Sequence, residues 1–125
     1  MKKTKITLRT GSTEDFFNRL RDRAKKLDRG ETLPPGITIT YEDPLDLLEI
    51  LTSERVRLLR LVKSEAQQIS ALATGLKRDV RAVSRDVALL ERAGLLRTRY
   101  ESNPGHGRLK IVEPVAQEYK LVANL

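Results

Sequence analysis

Arg81, Arg85 and Arg92 lie in the stretch VRAVSRDVALLERA at spacings that a helix would gather, with Ala88, along one side. Stepping 100° per residue puts Val83, Val87 and Leu90 on the opposite side, with Val80 near its edge. A helix that packs its valines and leucine inward and offers arginines and small residues outward can enter a DNA major groove. The planar guanidinium fork donates two hydrogen bonds to guanine O6 and N7 and also reaches phosphates. Ala82 and Ser84, near the start of the stretch, are small enough to let the backbone approach base edges. Taken alone, this stripe is what any solvated amphipathic helix shows, so the reading depends on its flanks.

Both flanks favour the nucleic-acid reading. Lys77 and Arg78 stand in a tight turn just before the helix, and after Gly94 the runs LLRTRYES and RLKIVE enclose NPGHG, which predicts a two-stranded hairpin. Leu96, Thr98 and Tyr100 alternate with Arg97 and Arg99, and Leu109 and Ile111 with Arg108 and Lys110. The expectation is that one face packs on the helices while Arg97, Arg99, Arg108 and Lys110 share the other. His106 and Arg108 belong to a tip small enough to enter a groove. Asp86 and Glu91 are expected to pair with neighbouring arginines rather than read bases.

These groups need a frame. Thr52 can cap a helix to about Ser64 with Val56, Leu59 and Val62 on its apolar face; Gln67 to Ile69 read as an extended link. Ser70 is placed to cap a second helix and Asp79 a third, over 80–93, ended by Gly94. Helix, link, helix, tight turn and longer helix is the helix-turn-helix order, and the hairpin over 95–113 is its wing.

Upstream, KITLRT alternates as a short strand with Ile6 and Leu8 on one face, and Ser12-Thr-Glu-Asp15 matches a capping box. The helix it starts is expected to bury Phe16, Leu20, Ala24 and Leu27 and to end at Gly30. A turn at Pro34-Pro35-Gly36 leads to a strand with Ile37, Ile39 and Tyr41 on one face, giving a βαβ-like or hairpin-like unit. Asp43-Pro44 then opens a leucine-dense helix. Leu47, Leu48 and Leu51 exceed what one face of a short helix needs and are candidates for a homodimer interface. The tail EYKLVANL alternates again as a final strand.

The 125 residues carry 24 Lys and Arg against 17 Asp and Glu, a net charge of +7, which points to polyanionic partners. The charge is segregated, with basic blocks over 1–30 and 76–111 around a connector, 31–53, that has acidic residues and no basic one. There is no cysteine and one histidine, His106, so disulfides and thiolate metal sites are excluded and no metal or other cofactor is expected. His106 has no nucleophile beside it, and the carboxylates show no acid-base arrangement, so an enzyme is not expected. Three tyrosines and two phenylalanines are too few for a base-stacking platform of the RNA-binding kind. Lys2, Lys3 and Lys5 lack the apolar run of a signal peptide, and no stretch approaches the ~18 apolar residues of a membrane span, so a cytoplasmic location is expected.

The run ISALATGLKRDVRAVSRDVALLERAGLL followed by NPGHGRLKIVEPVA resembles the winged-helix transcriptional regulators of bacteria and archaea related to the MarR and ArsR families, and the likeness extends over about 14–115 through LDRGE and EDPLDLLEILTSER. The resemblance implies a dimeric binder of double-stranded DNA with the third helix in the major groove and the hairpin on the adjacent minor groove or backbone. The fold class expected is α+β, a strand-helix-strand extension over 1–43, serving dimerisation or partner binding, before a winged helix-turn-helix over 44–125. The function expected is a sequence-specific, homodimeric repressor; the alternative is an antitoxin that neutralises a toxin protein and represses its own promoter.

Overall fold

The computed structural model describes residues 4–33 and 36–125. Its elements run β1 (Lys5–Thr10), α1 (Thr13–Asp28), β2 (Ile37–Tyr41), α2 (Pro44–Ile50), α3 (Ser53–Ser64), β3 (Gln67–Gln68), α4 (Ile69–Leu76), α5 (Val80–Arg92), β4 (Leu96–Asn103), β5 (Gly107–Pro114) and β6 (Glu118–Val122). They form two compact units, one from the N-terminal segment up to Glu49 together with Glu118–Leu125, the other Ile50–Gln117. This differs from a division at 43/44. The C-terminal strand joins the N-terminal segment because β6 pairs in parallel with β1, from Lys5↔Glu118 to Arg9↔Val122. Alternation marks a strand but does not name its neighbour.

In the first unit the strand order is β2-β1-β6, with both pairings parallel. Of the two arrangements open from the sequence, the chain adopts βαβ. Period-two alternation buries Ile6, Leu8 and Thr10 on one face, and the Thr10 hydroxyl accepts the Asn124 N–H at 2.9 Å. The other face pairs Thr7 with Thr38 and Arg9 with Thr40. The expected capping box starts α1: Ser12 Oγ accepts the Asp15 N–H at 3.1 Å and the Asp15 carboxylate accepts the Ser12 N–H at 3.2 Å. Those bonds from Ser12 hold Asp15 below the usual carboxylate range. Gly30, at φ +78°, follows the helix end, a left-handed position that glycine takes without strain.

The expectation for the apolar side of α1 is overturned. Arg19 donates to Thr40 Oγ1 at 3.0 Å and Thr13 to the Glu42 carboxylate, so α1 lies over the polar face of the sheet. Phe16, Phe17, Leu20 and Leu27 remain 39–56% exposed, and no residue of α1 is buried. Asp43 accepts the Leu45 N–H at 3.0 Å at the start of α2, as expected, but of its leucines only Leu47 is buried; Leu45 and Leu48 are exposed. Pro34 and Pro35 of the expected turn lie outside the described residues.

In the second unit Thr52 caps α3 and Asp79 caps α5, whose Arg81 N–H it accepts at 2.9 Å. Helix α4 begins two residues earlier than expected, with Gln68 at the cap position, so Ser70 lies inside the helix. Leu58, Leu59 and Val62 of α3, Leu72, Ala73 and Leu76 of α4, and Val83, Val87 and Leu90 of α5 form the core with Leu95, Leu96, Ile111 and Val112 of the hairpin. Leu58 takes the place expected for Val56, which is half-buried. Each fully buried aliphatic side chain contributes about 1.5–3 kcal/mol. The antiparallel sheet β3-β5-β4 completes the unit. Three helices, the last two joined by a tight turn and followed by a hairpin that pairs back with the link, are a winged helix-turn-helix. No helix among the described residues is long and apolar enough to cross a membrane.

Candidate nucleic-acid interface

One carboxylate joins helix α5 to two neighbouring segments. Asp86 falls at the edge of the Val83–Val87–Leu90 stripe and is 8% exposed. Its Oδ1 accepts from Arg55 Nε of α3 at 3.0 Å and its Oδ2 from Arg78 Nη1, in the α4–α5 turn, at 2.6 Å. Arg78 also stands 3.6 Å from Glu54, and Arg55 reaches the Ile50 carbonyl at 3.3 Å. Burial by itself would raise the Asp86 pKa; the hydrogen bonds from Arg78 and Arg55 outweigh it and hold the group below the usual carboxylate range. The same bond from Asp86 raises the Arg78 pKa. The cluster ties α3, the α4–α5 turn and α5 together at one point.

Arg78, expected to contact DNA, is thus committed to this internal ion pair. Lys77 beside it is exposed and holds the left-handed conformation, φ 54°, that closes α4. On the outer side of α5, Arg81, Arg85 and Arg92 are exposed, and none makes an ion pair among the described residues. They span about 16 Å along the axis at 1.5 Å per residue. Ala82, Ser84 and Ala88 are half-buried beside them. Glu91 differs from expectation: it accepts both the Thr98 N–H (2.9 Å) and the Thr98 hydroxyl (2.6 Å), so it docks the wing rather than an arginine.

The wing forms where expected, but its register separates the four cations. Residues directly opposite across an antiparallel ladder share a face. Tyr100 lies opposite Lys110 and Ser102 opposite Arg108, whereas Arg99 lies opposite Ile111 and Arg97 opposite Glu113. Arg97 and Arg99 consequently share the face away from Arg108 and Lys110. There Glu113 meets Arg99 at 3.0 Å and Arg97 at 3.5 Å, and Arg99 also pairs with Glu101. Hydrogen bonds to Glu101 and Glu113 raise the Arg99 pKa. Arg108 stacks over the exposed Tyr100 ring, 4.6 Å from its centroid, and neither Arg108 nor Lys110 has an ion pair among the described residues. Thr98, bonded to Glu91, belongs to their face, so the free wing cations lie on the side of the hairpin turned to α5.

At the tip the His106 N–H donates to the Asn103 carbonyl at 2.9 Å around Pro104 and Gly105, the latter at φ +83°, a type II turn. His106 is exposed there. The sequence reading expected arginine partners for Asp86, which it has, but did not identify them as Arg55 and Arg78, and it missed the part played by Glu113. The first had a signal, an acid inside an apolar helical stripe; the second had none without the hairpin register.

Of the three leucines expected at a dimer interface, Leu47 is 4% exposed and is removed from the surface, Leu51 is half-buried and Leu48 is exposed.

The family model described as HVO_A0114 matches residues 50–113, just over half of the chain. No curated protein matches. Among solved structures, a possible transcriptional regulator from Methanosarcina mazei Go1 is similar at 22% identity and TM-score 0.49; the match covers 56% of this chain and 61% of that one. The homodimeric winged helix-turn-helix DNA-binding domain (fragment 1–100) of a possible ArsR-family regulator from Mycobacterium bovis is similar at 17% identity and TM-score 0.45, covering 59% of this chain and 71% of that one. ZitR of Lactococcus lactis, a zinc-responsive MarR family member, is similar at 15% identity and TM-score 0.48, covering 83% of this chain and 67% of that one.

Proposed function

This chain belongs to the HVO_A0114 family, matched over 50–113, and from the surface of its second unit we infer that it is a sequence-specific binder of double-stranded DNA that regulates transcription. The observation that carries the reading is the contrast among its arginines. Arg55, Arg78, Arg97 and Arg99 are held in ion pairs, while Arg81, Arg85 and Arg92 on the outer side of α5 are exposed and have no ion pair among the described residues. Helix α5 presents these to the major groove, with Ala82 and Ser84 allowing close approach near its start; Lys77, His106, Arg108 and Lys110 serve the flanking backbone. Occupying a promoter in this way excludes polymerase, so the regulator acts as a repressor, and as a homodimer it reads two half-sites about one helical turn apart.

Titration into duplexes from the chain's own upstream region at several salt concentrations tests the reading. Steep weakening with salt is expected because neutralised phosphates release counterions. Arg85→Ala should cost about 1–3 kcal/mol on the preferred site and relax the preference at one base pair. Arg108→Ala should weaken all sequences alike and lower the salt slope by roughly one unit, while Arg97→Ala leaves binding near wild type. Affinity indifferent to both salt and sequence would sink the proposal.

A further inference from the structure

Two apolar surfaces of the first unit are left exposed among its described residues. One is the stripe of α1, where Phe16, Leu20, Ala24 and Leu27 fall at helical spacing and Phe17 packs edge-to-face on Phe16 at 5.6 Å. The other is α2, where Leu45 and Leu48, one turn apart, are 63% and 61% exposed. Their surroundings carry opposite charge. Residues 19–27 of α1 carry Arg19, Arg21, Arg23, Lys25 and Lys26 against the single acid Asp22, whereas α2 and its approach carry Glu42, Asp43 and Asp46 within a segment, 31–53, that has no basic residue. Both helices belong to the same compact unit, yet both apolar surfaces face water.

We propose that a second copy of this chain covers them, the apolar stripe of α1 lying against Leu45 and Leu48 of the partner subunit, and α2 against the partner's α1, in a reciprocal two-fold pair. The partner is a second copy because each surface supplies what the other lacks, leucines to match leucines and phenylalanines, and carboxylates to match the basic flank. A two-fold axis uses both surfaces twice and closes, leaving none to grow a filament. The six large side chains each leave on the order of 100 Å² in water, so two reciprocal contacts reach roughly the 1,200 Å² at which stable interfaces begin. Leu47 faces inward and plays no part, and Leu51 lies outside the stripe.

The test uses the full chain without DNA, so its outcome does not depend on the nucleic-acid reading. Light scattering over a concentration series is expected to give a dimer for the wild type and monomers for Leu20→Asp and for Leu48→Asp, with unchanged far-UV circular dichroism because both side chains are exposed. Mixing the two variants is expected to restore association weaker than that of the wild type but stronger than that of either variant alone: α1 of the Leu48→Asp chain and α2 of the Leu20→Asp chain are both intact, which leaves one whole contact, about half the wild-type area, per pair. A monomeric wild type, a Leu48→Asp variant that dimerises as the wild type does, as two α1 helices pairing with each other would give, or a mixture that associates no more strongly than either folded variant alone, overturns the proposal.

Discussion

Replacing Asp86 by alanine removes the carboxylate on which α3, the α4–α5 turn and α5 converge. Arg55 and Arg78 would keep their charges with side chains only 18% and 24% exposed. Deleting one partner of a buried pair costs about 3–5 kcal/mol, because the remaining charge stays desolvated. The lower end applies here: Arg78 retains Glu54 at 3.6 Å, Arg55 retains the Ile50 carbonyl at 3.3 Å, and both ends reach some water. About 3 kcal/mol is a large part of the ~5–15 kcal/mol that holds a domain folded. For a unit of this size it corresponds to a fall of about 12–24 °C in Tm. The chain has no tryptophan, so urea unfolding followed by far-UV circular dichroism is the suitable assay. Asp86→Asn, which keeps an acceptor and loses the charge, should fall between wild type and Asp86→Ala. A loss below about 1 kcal/mol for Asp86→Ala, the level of an exposed pair, would refute the view that this carboxylate anchors α5.

Because Asp86 titrates lower in the folded chain than its ordinary value, its contribution is complete above the unfolded pKa of about 3.9 and is lost as pH falls from there through the folded pKa. Urea midpoints measured down the acid limb should therefore drop less steeply for Asp86→Asn than for wild type; parallel slopes would count against the assignment. Gly105→Ala meets no atom within 4 Å, so its whole effect is the backbone strain of an L-residue at φ +83°. It should cost about 1–2 kcal/mol locally, speeding amide exchange at His106 while leaving α5 protected. An unchanged exchange rate at His106 would show that the turn is not held as described.

What the sequence by itself determined is local. The caps at Ser12, Thr52 and Asp79, the strand-helix-strand start, the three-helix order and the inward Val83–Val87–Leu90 stripe all follow from interactions within one or two turns, or from a period of 3.6 or 2. The exposed arginines of α5 were legible for the same reason. Tertiary structure alone decided what each face meets. The apolar stripe of α1 was readable, yet the helix docks by Arg19 on the polar face of the sheet, leaving Phe16 and Leu20 in water. The alternation of the wing was readable, yet the register sets Arg97 and Arg99 against Glu113 and frees only Arg108 and Lys110. Asp86 finds Arg78 eight residues away and Arg55 thirty-one residues away, and β6 returns across the chain to β1. Periodicity groups residues that share a face, whereas the partner of that face lies far along the chain and is chosen by the packing of the whole unit.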